Sequence, residues 1–224
     1  MPRTLRAPTV RRPCETVPML LYAAPGACSL APHIVLRELQ LPFRLLRVDN
    51  RSKRTDEGGD YLAINPKGYV AALQLDDGQV LTEGPAILLY LADRCPQAAL
   101  APPAYADTLP LYRLYEWLAF INSELHAGSV PLFDAALEPE RRTAVAARLL
   151  QRYAHAEAAL RTQPYLLGER FGVADAYLFT VLGWLPRFGL SLDAHPALAA
   201  YVARIAQRPS VVAALAAEQA LAPA

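Results

Sequence analysis

Cys28 stands where a short apolar run turns into a helix, in Pro25-Gly26-Ala27-Cys28-Ser29-Leu30-Ala31-Pro32-His33-Ile34-Val35-Leu36-Arg37-Glu38. The first turn of a helix presents unpaired N–H groups worth about half a positive charge, which favours a thiolate or a bound anion. The same field lowers a cysteine pKa well below its free value, so this placement predicts a reactive thiolate at Cys28. Free cysteines are also commonly buried for packing, and spacing alone leaves an inert core cysteine open as the second reading. His33, one turn beyond Ser29, reads as structural.

Several elements must hold that cysteine in place. The strand Met19-Leu20-Leu21-Tyr22-Ala23 leads into it, and Pro25-Gly26 ends the strand. Leu30, Ile34, Val35, Leu36 and Leu39 recur at roughly helical spacing and predict a helix over about 29–39; Pro32 falls in the first turn, where a missing N–H is tolerated. Residues 43–48 read as a second strand, completing a parallel βαβ unit. Beyond a polar loop with Arg51, Lys53 and Arg54, residues 69–75 read as a strand, Asp76-Asp77-Gly78 as a hairpin turn and 79–81 as the return. Thr82 is the expected N-cap of a helix over 84–92. Pro96, Pro102 and Pro103 mark a linker, after which helices are predicted at about 106–128, 138–161, 173–186, 196–206 and 209–218. Asp175, three residues after Gly172, is expected to cap the third of these, with Phe171 stapled against its first turn. The order β-α-β, irregular link, β-β-α is the thioredoxin-like arrangement. The predicted fold class is an α/β thioredoxin-like N-terminal domain (19–98) followed by an all-α helical C-terminal domain (99–224).

With 224 residues the chain can bury one large core or two small ones, and a formal net charge of +1 gives no reason to expect nucleic acid or an anionic membrane as a partner. Every apolar run is broken by charge or proline well before the roughly 18 residues that a membrane span requires. Cys14, Cys28 and Cys95 lie far apart without metal-ligand spacing, so no metal site is expected and a reducing cytoplasm is the expected compartment. Residues 1–18 intersperse Arg3, Arg6, Arg11 and Arg12 with four prolines and read as a disordered extension. Translation from Met19 is a simpler account of them than a targeting or anion-binding arm.

The blocks Pro25–Ile34, Asp60-Tyr61-Leu62-Ala63-Ile64-Asn65-Pro66-Lys67-Gly68, Leu81-Thr82-Glu83-Gly84, Glu116-Trp117-Leu118, Ser123-Glu124-Leu125-His126 and Val173–Thr180 resemble, in order and spacing, the bacterial beta-class glutathione transferases. The resemblance covers the chain from Met19 onward. It implies that Cys28 lies beside the glutathione sulfur, with Ser29 next to it, and that Glu83 and Gly84 grip the γ-glutamyl end. It further implies that Val70 pairs by its backbone with the cysteinyl part and that Lys53 reaches the glycyl carboxylate. Ser123, Glu124 and His126 match residues of the first long helix that face glutathione, the glutamyl contacts crossing from a partner subunit and the histidine lying near the thiol. On the residues alone, Lys53 reads equally as a solvated loop charge, His126 as a structural histidine and Glu83 as a helix-start charge worth about 0.3–1 kcal/mol.

Four positions depart from the family pattern. Ala23 replaces a tyrosine, Ala119 an asparagine and Ala127 a lysine, while Ala71 replaces a cis-proline, so that the Val70–Ala71 bond is either cis or its loop is rebuilt. The resemblance implies a homodimeric enzyme that transfers glutathione, as co-substrate and with no other cofactor, to small apolar electrophiles, with Cys28, Ser29 and His126 at the sulfur. A glutathione-dependent disulfide or peroxide reductase cycling through Cys28 is the enzymatic alternative, and a non-catalytic binder of glutathione or apolar ligands is the other.

Overall fold

The computed structural model describes residues 18–103 and 108–221, so the predicted disordered extension, apart from Pro18, lies outside the described residues. Four strands form one mixed sheet in the order β2-β1-β3-β4. β1 (Met19–Ala23) and β2 (Phe43–Arg47) run parallel with Leu21 opposite Leu45, because helix α1 (Leu30–Glu38) carries the chain back across the sheet between them. β3 (Ala72–Gln74) pairs antiparallel with β1, and β4 (Val80–Thr82) antiparallel with β3. Their turn closes at Gly78, whose φ of +85° is the left-handed conformation glycine adopts without steric cost.

The strand expected from residue 69 begins only at Ala72. The hydroxyl of Tyr61 (2.8 Å) and the amide of Asn65 (2.7 Å) both donate to the Tyr69 carbonyl, which ties this stretch to the preceding loop instead of the sheet. The Val70–Ala71 peptide is cis. Helix α2 (Gly84–Arg94) also starts differently from expectation. Thr82 belongs to β4 and its hydroxyl accepts from Lys67 Nζ at 2.7 Å, while Glu83, at φ +73°, takes the cap position without a side-chain capping bond.

The helical half consists of α3 (Thr108–Phe120), α4 (Ala127–Ser129), α5 (Pro139–Leu160), α6 (Val173–Leu182), α7 (Pro196–Ala206) and α8 (Pro209–Leu221). Instead of one helix over 106–128, α3 passes into a π-helical turn over Ile121–His126 before α4. Helix α6 stops at Leu182 and a separate 3-10 turn, Leu185–Phe188, follows, with Pro186 unable to donate to a continuing helix.

Every residue of α6 is buried, as its sequence VADAYLFTVL requires. Its one carboxylate, Asp175, accepts from Gly172 N–H (2.8 Å), Leu166 N–H (2.9 Å) and the Tyr201 hydroxyl (3.0 Å), so it caps α6 and ties α7 to it. Helix α1 packs against α2, α6 and α8, which joins the two halves through Ile34, Val35, Leu36, Ile87, Leu88 and Leu91, all fully buried. Each large aliphatic side chain so buried is worth about 1.5–3 kcal/mol. At the edge of that contact Glu38 pairs with Arg208 and accepts from Ser210 at 2.5 Å.

Candidate active site

Cys28 lies in the turn between β1 and α1. The first-turn donors that were to stabilise its thiolate are used within the turn: Leu30 N–H bonds Ala27 O and Ala31 N–H bonds Cys28 O, each at 3.2 Å, and Pro32 has no N–H. The expected thiolate is therefore corrected. Burial pushes the Cys28 thiol up to about 11, an effect to which the charges of Glu83 and Glu218 add and which the N–H groups of Cys28 and Ala71 oppose. Cys28 remains partly exposed, and its Sγ donates to the Val70 carbonyl at 3.0 Å. The catalytic expectation for Ser29 is also corrected. Its fully buried hydroxyl accepts from Ala24 N–H (3.1 Å) and donates to Ala24 O (3.3 Å), latching the end of β1 to the start of α1 and leaving no face for a substrate sulfur.

The helical half holds the cysteine turn from outside. Trp184 Nε1 donates to Gly26 O and Glu218 accepts from Gly26 N–H, both at 3.0 Å. His33 is a core residue, as expected: its Nε2 accepts from Arg37 at 2.9 Å and its Nδ1 faces Glu218 at 3.6 Å.

Facing the cysteine turn, α2 begins with Glu83 and Gly84. The Glu83 side chain is exposed and pairs with Lys67, which sequence reasoning missed although Lys67 sits inside the Asn65-Pro66-Lys67-Gly68 block. A Cβ on Gly84 would lie 3.9 Å from the Tyr177 ring, so this helix start abuts the helical half. Lys53 Nζ donates to the Gly68 carbonyl at 2.8 Å and lies 5.8 Å from the Tyr69 ring centroid, which sets it on the loop that leads to Val70.

His126 enters from the π-helical turn. Its Nδ1 is 2.6 Å from the Tyr177 hydroxyl, which itself donates to Asn122 Oδ1 at 2.9 Å. Burial lowers the His126 pKa and the charge of Glu83 opposes that, while burial and then the charges of Cys28 and Glu83 raise the Tyr177 pKa. These couplings put Cys28, Glu83, His126 and Tyr177 within one electrostatic neighbourhood. Sequence reasoning missed Asn122 and Tyr177, although Tyr177 sits inside the Val173–Thr180 block and Asn122 directly precedes Ser123.

Ser123 and Glu124 turn elsewhere within a single chain. Ser123 donates to Ala119 O at 2.9 Å, and Glu124 pairs with Arg152 at 2.8 Å and Arg148 at 3.7 Å on α5. Both residues line a separate cavity of about 250 Å³ with Arg148, Val145 and Leu149. Above His126, an aromatic wall is built from Trp184 (5.0 Å between centroids), Phe133 (5.4 Å from Trp184) and Phe188 (4.8 Å from Phe133), and the Arg187 guanidinium lies over Phe133.

A thioredoxin-like half offering a cysteine, backbone groups and a carboxylate at a helix start, covered by a helical half with an aromatic wall, is a two-part arrangement that presents a thiol at the seam between its halves. Comparison with known proteins makes this specific. The glutathione S-transferase N-terminal domain model matches residues 26–94 and the C-terminal domain model residues 120–209. The glutathione S-transferase GstA of Escherichia coli O157:H7 is 46% identical over 200 residues, covering 89% of this chain and 98% of that protein. A sphingomonad glutathione S-transferase complexed with glutathione superposes with a TM-score of 0.86 at 46% identity, over 89% of this chain and 98% of the other. The bacterial beta-class enzyme of Sphingomonas chungbukensis gives 0.85 at 46% identity over the same shares. The chain belongs to the glutathione S-transferase family.

Proposed function

We propose that this glutathione transferase joins the glutathione sulfur to small apolar electrophiles held against the wall of Trp184, Phe133 and Phe188. The observation that carries the reading is the convergence of the Cys28 thiol, the Val70 carbonyl and Glu83 at the start of α2, with His126 opposite. The Glu83 carboxylate matches the γ-glutamyl ammonium, and Lys67, now paired with Glu83, matches the neighbouring carboxylate; a zwitterion replaces one ion pair by two. Lys53 takes the glycyl carboxylate and Val70 the cysteinyl backbone, leaving the sulfur beside Cys28.

A protonated Cys28 serves this role when the cysteinyl N–H of glutathione takes over the Val70 carbonyl and the Cys28 hydrogen turns from that carbonyl to the glutathione thiolate. The reductase alternative needs Cys28 itself as a thiolate, and the burial that raises its pKa argues against it. Turnover of glutathione with chlorodinitrobenzene above the spontaneous rate tests the conjugation reading; turnover of hydroperoxide or mixed disulfide only, lost in Cys28→Ala, would replace it.

The exposed side chains of Leu109, Tyr112 and Tyr115 on one stretch of α3 support a homodimer, in which Ser123 and Glu124 serve the partner's glutathione. Among the described residues no helix is long and apolar enough to cross a membrane. The free thiols Cys28 and Cys95 and a need for reduced glutathione fit a cytoplasmic location.

A further inference from the structure

We infer that Asn122 and Tyr177 are positioning residues that lock His126 in its Nδ1–H tautomer, so that Nε2 is the base receiving the glutathione proton. The inference rests on the transferase reading and extends it to two residues to which the sequence blocks assign no role. A tyrosine hydroxyl has one hydrogen to give and lone pairs to accept with. Here the hydrogen is committed to Asn122 Oδ1 at 2.9 Å, so the 2.6 Å contact with His126 is completed only by a proton on Nδ1. The two ring nitrogens of a neutral imidazole divide the roles of donor and acceptor, and fixing Nδ1–H leaves Nε2 with its lone pair.

The surroundings keep this arrangement rigid. Tyr177 is 1% exposed on the fully buried helix α6. Asn122 and His126 both lie in the π-helical turn, and such interruptions of an α-helix frequently occur at functional sites. The His126 ring also packs against Trp184, which is bonded to the cysteine turn through Gly26. In the reaction, the glutathione S–H proton passes to Nε2, leaving the thiolate to which Cys28 donates, and the sulfur's electron pair then forms the sulfur–carbon bond. The displaced group leaves the electrophile with its bonding pair, and Nε2 then returns the proton to solvent.

Two-bond nitrogen–proton correlation spectra of the ligand-free protein labelled in histidine, with His126 assigned through His126→Gln, read the tautomer directly. The expected result is a protonated Nδ1 and an unprotonated Nε2 in the wild type. Tyr177→Phe is expected to give mixed tautomers and a kcat about 10- to 100-fold lower with the glutathione KM unchanged. Asn122→Leu, at an exposed helical position, is expected to act in the same direction and covers the case in which Tyr177→Phe fails to fold. A wild-type His126 protonated on Nε2 overturns the relay while conjugation persists. So does a variant that keeps both the tautomer and kcat. Absence of conjugation by the wild type overturns the base role together with the transferase reading.

Discussion

The raised pKa of Cys28 makes a quantitative forecast for alkylation of its thiol. A value of about 11, against 9.0 for the unperturbed thiol, means that at neutral pH Cys28 carries about 100-fold less thiolate than a free cysteine. Each thiolate is intrinsically more nucleophilic at the higher pKa, by about tenfold for a Brønsted slope of 0.4–0.5. The two effects leave Cys28 about 10-fold slower than a free thiol toward iodoacetamide at neutral pH, before any steric term. Mass-spectrometric alkylation kinetics on a Cys14→Ser, Cys95→Ser double variant isolate this thiol. The logarithm of the rate constant is expected to climb linearly with pH through about 9.5 with no plateau. Glu83→Gln, which removes one of the charges that raise the pKa, is expected to speed the reaction. A plateau below about pH 8.5 would restore the helix-start thiolate and refute the assignment of Cys28 as a protonated donor.

Glu83→Gln is also expected to weaken glutathione binding by about 10- to 100-fold in calorimetric titration, since a charge-assisted bond is worth about 1.5–3 kcal/mol. Asp175→Ala leaves the buried N–H groups of Leu166 and Gly172 without an acceptor, while the Tyr201 hydroxyl keeps the main-chain carbonyl of residue 175 at 3.2 Å, and is expected to cost about 2–4 kcal/mol in urea unfolding at pH 7. Burial holds the Asp175 carboxyl up at about 6, against 3.8 unperturbed; the folded state binds this proton more tightly, so the group stabilises below about pH 4 and that contribution is lost as pH rises through 6. The wild-type advantage over Asp175→Ala should accordingly be larger at pH 4.5 than at pH 7. For the proposed homodimer, Tyr112→Glu at an exposed position on α3 is expected to give a monomer in light scattering where the wild type gives a dimer, with helix content unchanged; a monomeric wild type would refute the proposal.

What the sequence made legible was set by periodicity and turn chemistry. Met19–Ala23, the apolar spacing of α1 and the Asp-Asp-Gly turn located the sheet because each is local. Asp175 was legible as a cap for the same reason. What escaped depended on tertiary neighbours. The Cys28 environment could not be read from a helix N-terminus alone, because the carbonyls of Ala27 and Cys28 consume the donors and Glu83 and Glu218 arrive from distant chain segments. Ser29 looked like a site residue by adjacency, yet its side chain turns back on Ala24. The π-helical turn is invisible to a helical-period argument, and with it the meeting of Asn122 and His126 at one tyrosine hydroxyl.

The alanine departures also acquire a physical meaning that composition did not supply. Ala119 and Ala127 are exposed, whereas Ala23 and Ala71 are buried in the core. At position 71 the exchange does more than change a side chain, because the family's proline has no amide hydrogen and alanine has one. That N–H acts on the Cys28 sulfur and pulls its pKa down against burial. Ala71 therefore brings to the Cys28 turn a backbone N–H that the family pattern lacks, and its effect is to favour the charged sulfur. Ala71→Pro tests this: with the fold intact by circular dichroism, removal of the hydrogen should raise the Cys28 pKa further and slow its alkylation at every pH below the plateau. A variant whose thiol titrates at the wild-type value or lower would show that the Ala71 amide contributes nothing to the sulfur, and that the loss of proline at this position is only a change in packing.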